Sequence, residues 1–322
     1  MRVALLRSRH PAVPRPRRIL VVPLATLLAV GCSEAEPETQ VPEPEVIEPA
    51  LTVFTTTYPL HYFASRIGGD RINVQFPAPE GTDPGTWSPS PETILAYQEA
   101  DLILLNGAEY EGWTATASLP AGSMIDTSAE LDDQLIVLDD ALTHSHGSEG
   151  EHTHERTAAV TWLDLKLAAR QAAAVRDALV RQDSAGATAY TEGFEALARD
   201  LRALDARLES VAAAASGRTL VGAVPGFEYL ARGYGLSLEG AAFDPADPWG
   251  DDFWHEVEHA LDHGAEPTLL LPVPADDAIL GRLEEMDLEA ILFDPMGGRP
   301  SDGDFLSRMN ANIDRLEQAL AD

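Results

Sequence analysis

The sequence predicts an α/β fold of two lobes, each a parallel sheet flanked by helices, joined by one long helix. Two observations predict it. From Leu51 the chain alternates short apolar runs with helical periodicity, and the alternation resumes after Gly217; strands alternating with helices build parallel sheets. Between these stretches, from about Trp162 to Ala215, lies a segment rich in Ala, Leu, Arg and Glu and free of Pro. Within it Tyr190, Phe194, Leu197, Leu201, Leu204, Leu208 and Val211 recur at intervals of 4, 3, 4, 3, 4 and 3, which draws one apolar stripe along a helix. A coiled-coil dimer is the other use of such a stripe. Three heptads are short for one, so the stripe is expected to pack on the lobes.

The elements follow in order. Residues 1–31 read as a processing segment. They hold six Arg and no acid, and Ile19–Gly31 is an apolar run of 13 residues, short for a bilayer span. The run ends in Leu28-Ala-Val-Gly-Cys32, which resembles a bacterial lipoprotein box with Cys32 as the lipidated residue. Ala29 departs from the usual Leu, and an ordinary signal peptide with a chance Cys is the plainer alternative. Cys32 is the only cysteine of the 322 residues, so a disulfide, a Cys-based zinc finger and a thiol nucleophile are excluded. Residues 32–50 form an acidic tether: Ser33–Ala50 holds six Glu, four Pro and no basic residue. Such a self-repelling chain, at about 3.1 Å per residue, reaches about 50 Å from a membrane. The protein is thereby expected in the cell envelope, lipid-anchored outside the cytoplasm.

The first lobe is expected over 51–160, with strands at Leu51–Thr55, Ile72–Phe76, Asp101–Asn106 and Gln134–Leu138 and helices at Leu60–Ile67 and Pro91–Gln98. The connecting helical segment occupies 161–215, broken at Asp183–Gly186. The second lobe, 216–322, takes strands at Thr219–Val224, Leu236–Phe243, Thr268–Leu271 and Ala290–Phe293, with a closing helix over Asp304–Leu320. The net charge is −31, and after the six arginines of 1–31 only 16 basic residues face 53 acidic ones, Lys166 being the sole lysine. Nucleic acid and anionic lipid surfaces are poor partners for such a chain, while cations are attracted.

Four of the nine histidines, His144, His146, His152 and His154, fall within eleven residues. The run is polar and glycine-broken and lacks the apolar face of a helix or strand, so a loop is expected over 143–155. Imidazole is the commonest protein ligand for borderline metals, and Glu149, Glu151 and Glu155 add oxygens. The run points to zinc or a similar divalent ion, loosely held; a solvated loop without metal is the alternative. Elsewhere, His255-Glu-Val-Glu-His259 fits the H-E-x-x-H pattern, in which Glu256 would act as general base. Phe253, Val257, Ala260 and Leu261 take the apolar face, so the histidines are expected to face solvent. A weak surface metal site of His255, His259 and His263, or a plain solvated face, fits better than a zinc hydrolase. His61, among apolar neighbours, reads as a packed or capping histidine.

Local stretches then resemble a known family. Tyr58-Pro-Leu-His-Tyr-Phe-Ala-Ser-Arg-Ile-Gly-Gly-Asp70, Gly81-Thr-Asp-Pro-Gly-Thr-Trp-Ser-Pro-Ser-Pro91, Ala100-Asp-Leu-Ile-Leu-Leu-Asn-Gly107 with Glu111-Gly-Trp113, Phe227-Glu-Tyr-Leu-Ala-Arg-Gly-Tyr-Gly-Leu236 and Phe293-Asp-Pro295 are similar to the metal-type solute-binding proteins of ABC importers, the zinc and manganese class. The resemblance covers about Leu51 to Leu320. It implies two α/β lobes joined by a long helix, a divalent metal carried in the cleft, and a permease with its ATPase as partners. It also implies no enzymatic activity. The family's ligand positions fall on Gly85, Val160, Val224 and Asp294, and only Asp294 can bind a metal through its side chain. No His occurs between Asp70 and Leu142 or between Arg156 and Trp254, so no shift of register restores one. Glu228, Asp83 and Asp244 are the remaining oxygen donors, and Val160 and Val224 are alternatively packing residues of a closed cleft.

The expectation is a solute-binding lipoprotein with a degenerate cleft, its capture groups being His144, His146, His152 and His154 with Asp294 as the surviving ligand. The alternatives are a non-transport scaffold or partner-binding lipoprotein that kept the fold and, more remotely, a zinc hydrolase built on His255, Glu256 and His259. Cys32→Ala is expected to leave the chain unprocessed or to release it from membranes, because acyl chains supply the attachment. Membrane fractionation checks this; a variant that matures normally and stays bound removes the lipoprotein reading.

Overall fold

The computed structural model describes residues 49–145, 151–242, 248–265 and 267–321. The processing segment 1–31, Cys32, almost all of the tether, His146 and Asp244 lie outside them. Strand β1, Leu51–Thr55, is buried along nearly its whole length, as a strand must be when helices cover both faces of its sheet. It pairs in parallel with β2, Ile72–Gln75, and with β3, Leu102–Leu105. A fourth strand, β4, Met124–Asp126, extends the sheet beside β3. The second sheet is also parallel, in the order β10-β9-β7-β8, from β7 Thr219–Val224, β8 Ser237–Ala242, β9 Thr268–Leu271 and β10 Glu289–Leu292. Two lobes with parallel sheets are therefore present as expected.

The helices start where local chemistry allows. Helix α1, Tyr58–Gly68, has Pro59 in its first turn and buries Leu60, Phe63, Ala64 and Ile67 on one stripe. Helix α2, Pro91–Gln98, is capped by the Ser90 hydroxyl, which accepts the Thr93 N–H. Helix α3, Leu165–Gln182, is capped by the Asp164 carboxylate, which accepts the N–H groups of Lys166 and Leu167. Helix α4, Ala187–Ala214, is the long one at 28 residues, about 42 Å at 1.5 Å per residue. Of its stripe, Tyr190, Leu197, Leu201, Leu204, Leu208 and Val211 are buried within the chain. A coiled-coil partner would find no free seam. Four helices, α5 Glu228–Tyr234, α6 Asp251–Asp262, α7 Asp277–Glu285 and α8 Phe305–Ala321, serve the second lobe.

One core runs through both lobes, from Val53 and Phe63 through Leu179, Leu197 and Leu208 to Phe293 and Ile313. Satellite cores lie on the outer face of each sheet, one around Tyr97 and Ile103, the other around Phe253, Trp254 and Leu269. Among the described residues no helix is long and apolar enough to cross a membrane.

Two expectations need correction. Gln134–Leu138 is not a strand of the first sheet: Asp132–Gln134 is a 3-10 turn, and β4, absent from the expected strands, takes the edge place. Three residues of Met-Ile-Asp carry too little pattern to announce a strand. Nor is 143–155 simply a loop. Strand β5, Val137–Ser145, pairs antiparallel with β6, Glu151–Thr157, with His144 opposite His152 and Leu142 opposite His154 in the register. Antiparallel pairing satisfies backbone N–H and C=O groups whatever the side chains are; an apolar face is needed for burial and not for pairing.

Helix α4 crosses α1 at Gly193, where a Cβ atom would sit 2.5 Å from the Ile67 carbonyl oxygen and 2.9 Å from that of Arg66. Gly193→Ala is therefore expected to destabilise by about 1–3 kcal/mol through overpacking, in spite of a helix-propensity gain of about 1 kcal/mol. Thermal denaturation reads this as a lower Tm; a raised Tm would mean the two helices part freely.

Candidate metal site

The carboxyl ends of parallel strands are where α/β sheets place their ligands, and the loops leaving these ends carry the positions of interest. From the first lobe come the turn Asp83–Gly85, the loop after β3 with Tyr110 and Glu111, and Val160–Trp162. From the second come the end of β7 and the loop Asp294–Gly298.

These loops meet through aromatic rings and main-chain hydrogen bonds. Trp162, 1% exposed, donates its indole N–H to the Pro295 carbonyl at 2.6 Å. Its ring meets that of Tyr110 edge-on at 5.5 Å. The Tyr58 N–H donates to the Gly297 carbonyl at 2.8 Å. At Gly85 a Cβ atom would lie 3.3 Å from the Tyr110 ring and 3.4 Å from Asp83 Oδ1, so Tyr110 takes the space a side chain at 85 would need. Asp83 Oδ1 accepts the Gly85 N–H at 3.0 Å and the Tyr110 hydroxyl at 3.2 Å. Burial, and then the carboxylates of Asp83 and Glu111, hold the Tyr110 phenol well above its ordinary range.

Val160 is half-buried and packs against the main core. Val224 ends β7 opposite Ala242, and its side chain is outside the described set. Glu228 accepts the Gly226 N–H at 2.8 Å. Asp294 is half-buried and held at both carboxylate oxygens. Its Oδ1 accepts the Met296 N–H at 2.8 Å, and its Oδ2 faces the Arg308 guanidinium at 3.5 Å. Its main chain is bracketed by Asn312, which accepts the Asp294 N–H and donates to the Asp294 carbonyl. Among the described residues no group of three or more His, Cys, Asp or Glu gathers as a metal site.

Behind these loops lies a carboxylate that the sequence marked only by resemblance. Glu111, 5% exposed, accepts the N–H groups of Asn106 and Gly107 and the Thr56 hydroxyl. Burial pushes its carboxyl up to about 7 against those donors. It braces a loop in which Gly107, Ala108 and Glu109 all take positive φ, of 77°, 51° and 61°. Gly107 is required there twice over, since a Cβ would also fall 1.9 Å from Asp126 Oδ1. Tyr110 and Arg308 went unnoticed in the sequence: each occupies the cleft through a chain reversal or a distant helix, and neither sits in a periodic pattern.

Residues 53–319 match the model of the family described as ZnuA, zinc-uptake complex component A, periplasmic. The chain belongs to this family. Its relatives include the zinc-binding lipoprotein AdcA of Streptococcus pneumoniae, 26% identical over 222 residues, 68% of this chain and 42% of that protein. The high-affinity zinc uptake system protein ZnuA of Bacillus subtilis is 28% identical over 198 residues, 58% of this chain and 59% of that one. The chain thus spans about half the length of these relatives. The crystal structure of the Zn(II)-bound ZnuA-like domain of Streptococcus pneumoniae AdcA shares the fold, with a TM-score of 0.68 and 20% identity over 84% of this chain and 99% of that one.

The family is described as a zinc-uptake component, which lends the hydrolase alternative no support. The geometry of α6 agrees. Phe253, Trp254, Val257 and Ala260 are buried, while His255 and His259 are exposed on the opposite face. His255, His259 and His263 do not gather into one site either; eight helical residues rise about 12 Å, too far for one ion to bridge. Of the hairpin histidines, His144, His152 and His154 lie on the paired strands, with side chains outside the described set.

His61 is packed, as expected. Its ring lies 6.0 Å from that of Tyr58 and 6.2 Å from that of Phe76, and its Nδ1 is buried without a hydrogen-bond partner. Burial first, and the Arg299 charge second, lower its pKa to about 4. The unfolded chain binds this proton below the ordinary histidine pKa of about 6.5, the folded chain only near 4. The stability this residue contributes is therefore present above about pH 6.5 and lost as the pH falls towards 4. His61→Gln is expected to flatten the stability profile in that window. Urea melts of both proteins between pH 4 and 7 check it, and parallel profiles would contradict the assignment.

Proposed function

We propose that this protein is the lipid-anchored, extracytoplasmic solute-binding component of a divalent-metal ABC importer, delivering zinc-class ions to a permease coupled to an ATPase. In this reading the histidine hairpin β5–β6 gathers the ion and the family's cleft position does not hold it in the usual manner. The reading rests on where the hairpin is rooted. At its base the Ile136 N–H donates to the Tyr229 hydroxyl of α5 at 3.2 Å, and the Ala158 N–H donates to the Ile136 carbonyl at 2.8 Å. Asn106 donates to the Ala159 carbonyl at 2.9 Å, one residue before Val160. His144, His152 and His154 thus lie on a hairpin whose base adjoins the cleft loops.

Magnitudes favour the hairpin over the cleft. Zinc sites use three or four side-chain ligands, and loss of an outer-shell partner alone costs about 10–100-fold in affinity. Gly85, Val160 and Val224 offer only main-chain carbonyls, and Asp294 is engaged with Met296 and Arg308. Glu228 Oε2 and Asp83 Oδ1 each accept a main-chain N–H.

A non-transport scaffold is the second reading. The fastening of the lobes by Trp162 to Pro295 and by Tyr58 to Gly297 favours it. A chain that serves as a scaffold would neither co-purify with a permease nor alter zinc uptake when deleted.

Deleting residues 143–155 is expected to remove most zinc binding, whereas Asp294→Ala changes little; isothermal calorimetry on both variants measures this. Binding should weaken below about pH 6 as imidazoles protonate. If the hairpin-deleted chain still holds one zinc tightly and Asp294→Ala releases it, the cleft is the site and the hairpin is not.

A further inference from the structure

We propose that α6 carries a separate, solvent-facing site for a borderline divalent transition ion, held by the imidazoles of His259 and His263. The pair has the i, i+4 spacing that sets two side chains over one another on a helix. The two rings are in contact, 4.1 Å between centroids and inclined by 34°. The H-E-x-E-H pattern directs attention to His255 with His259; the structure pairs His259 with the next histidine along.

One contact makes the pair more than a chance neighbourhood. His263 Nδ1 lies 2.8 Å from the His259 main-chain carbonyl. A carbonyl only accepts, so Nδ1 carries a hydrogen, and in the neutral ring Nε2 is left with its lone pair. That is the tautomer of a metal-binding imidazole whose other nitrogen donates to a carbonyl. The opposite face of α6 is anchored by Phe253, Trp254, Val257 and Ala260, each 2% exposed or less. The helix cannot roll the histidines inward. Both rings are exposed, with Glu258 and Asp262 beside them also exposed, and the chain's net charge of −31 draws cations to its surface.

The donor set defines the ligand. Imidazole suits zinc, copper and nickel, whereas calcium and magnesium take oxygen. Two protein ligands leave the remaining positions to water, so the site holds its ion weakly and exchanges it readily. Its role is to retain metal at the protein surface, apart from the hairpin and the cleft loops, and it stands whether or not the hairpin is the main capture device.

The test uses the full chain with His144, His146, His152 and His154 all changed to Gln, which removes the hairpin imidazoles and leaves α6 untouched. Zinc chloride is titrated while the histidine side-chain nitrogens are followed by NMR. The His259 and His263 signals should move together and saturate at one ion per chain, with no response to calcium chloride. His259→Gln or His263→Gln should each weaken binding by at least about tenfold, since loss of a direct ligand exceeds the loss of an outer-shell partner. His255→Gln should leave it unchanged. Circular dichroism confirms that each variant is folded. Signals that stay still, that move equally with calcium, or that depend as much on His255 would overturn the proposal. Zinc binding that disappears with the hairpin histidines alone would also overturn it and leave the importer reading intact. Zinc binding at α6 with none at the hairpin would do the reverse.

Discussion

Two parallel sheets, apolar on both faces, cannot stand in water until helices cover them. That constraint organises this molecule. Each sheet has only four strands and too little surface for an independent large core. The helical pair α3–α4 meets the need by belonging to both lobes. Its buried residues join Val53 and Phe63 on one side to Phe293 and Ile313 on the other in one apolar cluster. The lobes are thus held by a shared core rather than by a linker. The near contact of Gly193 with the α1 backbone shows how closely that core is drawn in.

The same arrangement brings the carboxyl ends of the strands face to face, and here the chain uses the space in its own way. A cleft lined by ligands needs room and free lone pairs. Tyr110 and Trp162 stack edge to face there, and Asp294 already accepts from the Met296 N–H and faces Arg308. Glu111, inaccessible behind them, spends its oxygens on the main chain and the Thr56 hydroxyl. Among the described residues His61 packs in α1, and the other histidines lie on the β5–β6 hairpin and on α6 with its C-terminal cap.

Much of the fold was legible in the sequence because burial writes periodicity. The strand Thr268–Leu271 and the helix Pro91–Gln98 were read residue for residue, one from an unbroken apolar run, the other from Ser90 and Pro91. The α4 stripe was legible for the same reason. Strand β4 was not, being three residues long, and the β5–β6 hairpin was not, because its pairing is a main-chain affair with no apolar signature. In the cleft, the absence of histidine at Gly85, Val160 and Val224 was plain from the chain itself, while the presence of Tyr110 in the space beside Gly85 was not.

Sequence alone determined which chemistry is available: one cysteine, nine histidines, a strongly acidic surface, two runs of alternating strands and helices, and a helix with a single apolar face. Those are local properties, set by composition and by the repeat lengths of helix and strand. Tertiary structure alone decided which groups meet. That Trp162 bonds Pro295, that Arg308 reaches Asp294, and that His263 turns its Nδ1 to the His259 carbonyl depends on crossing angles, loop reversals and rotamers. These are chosen by packing across the whole core, and no window of sequence contains them.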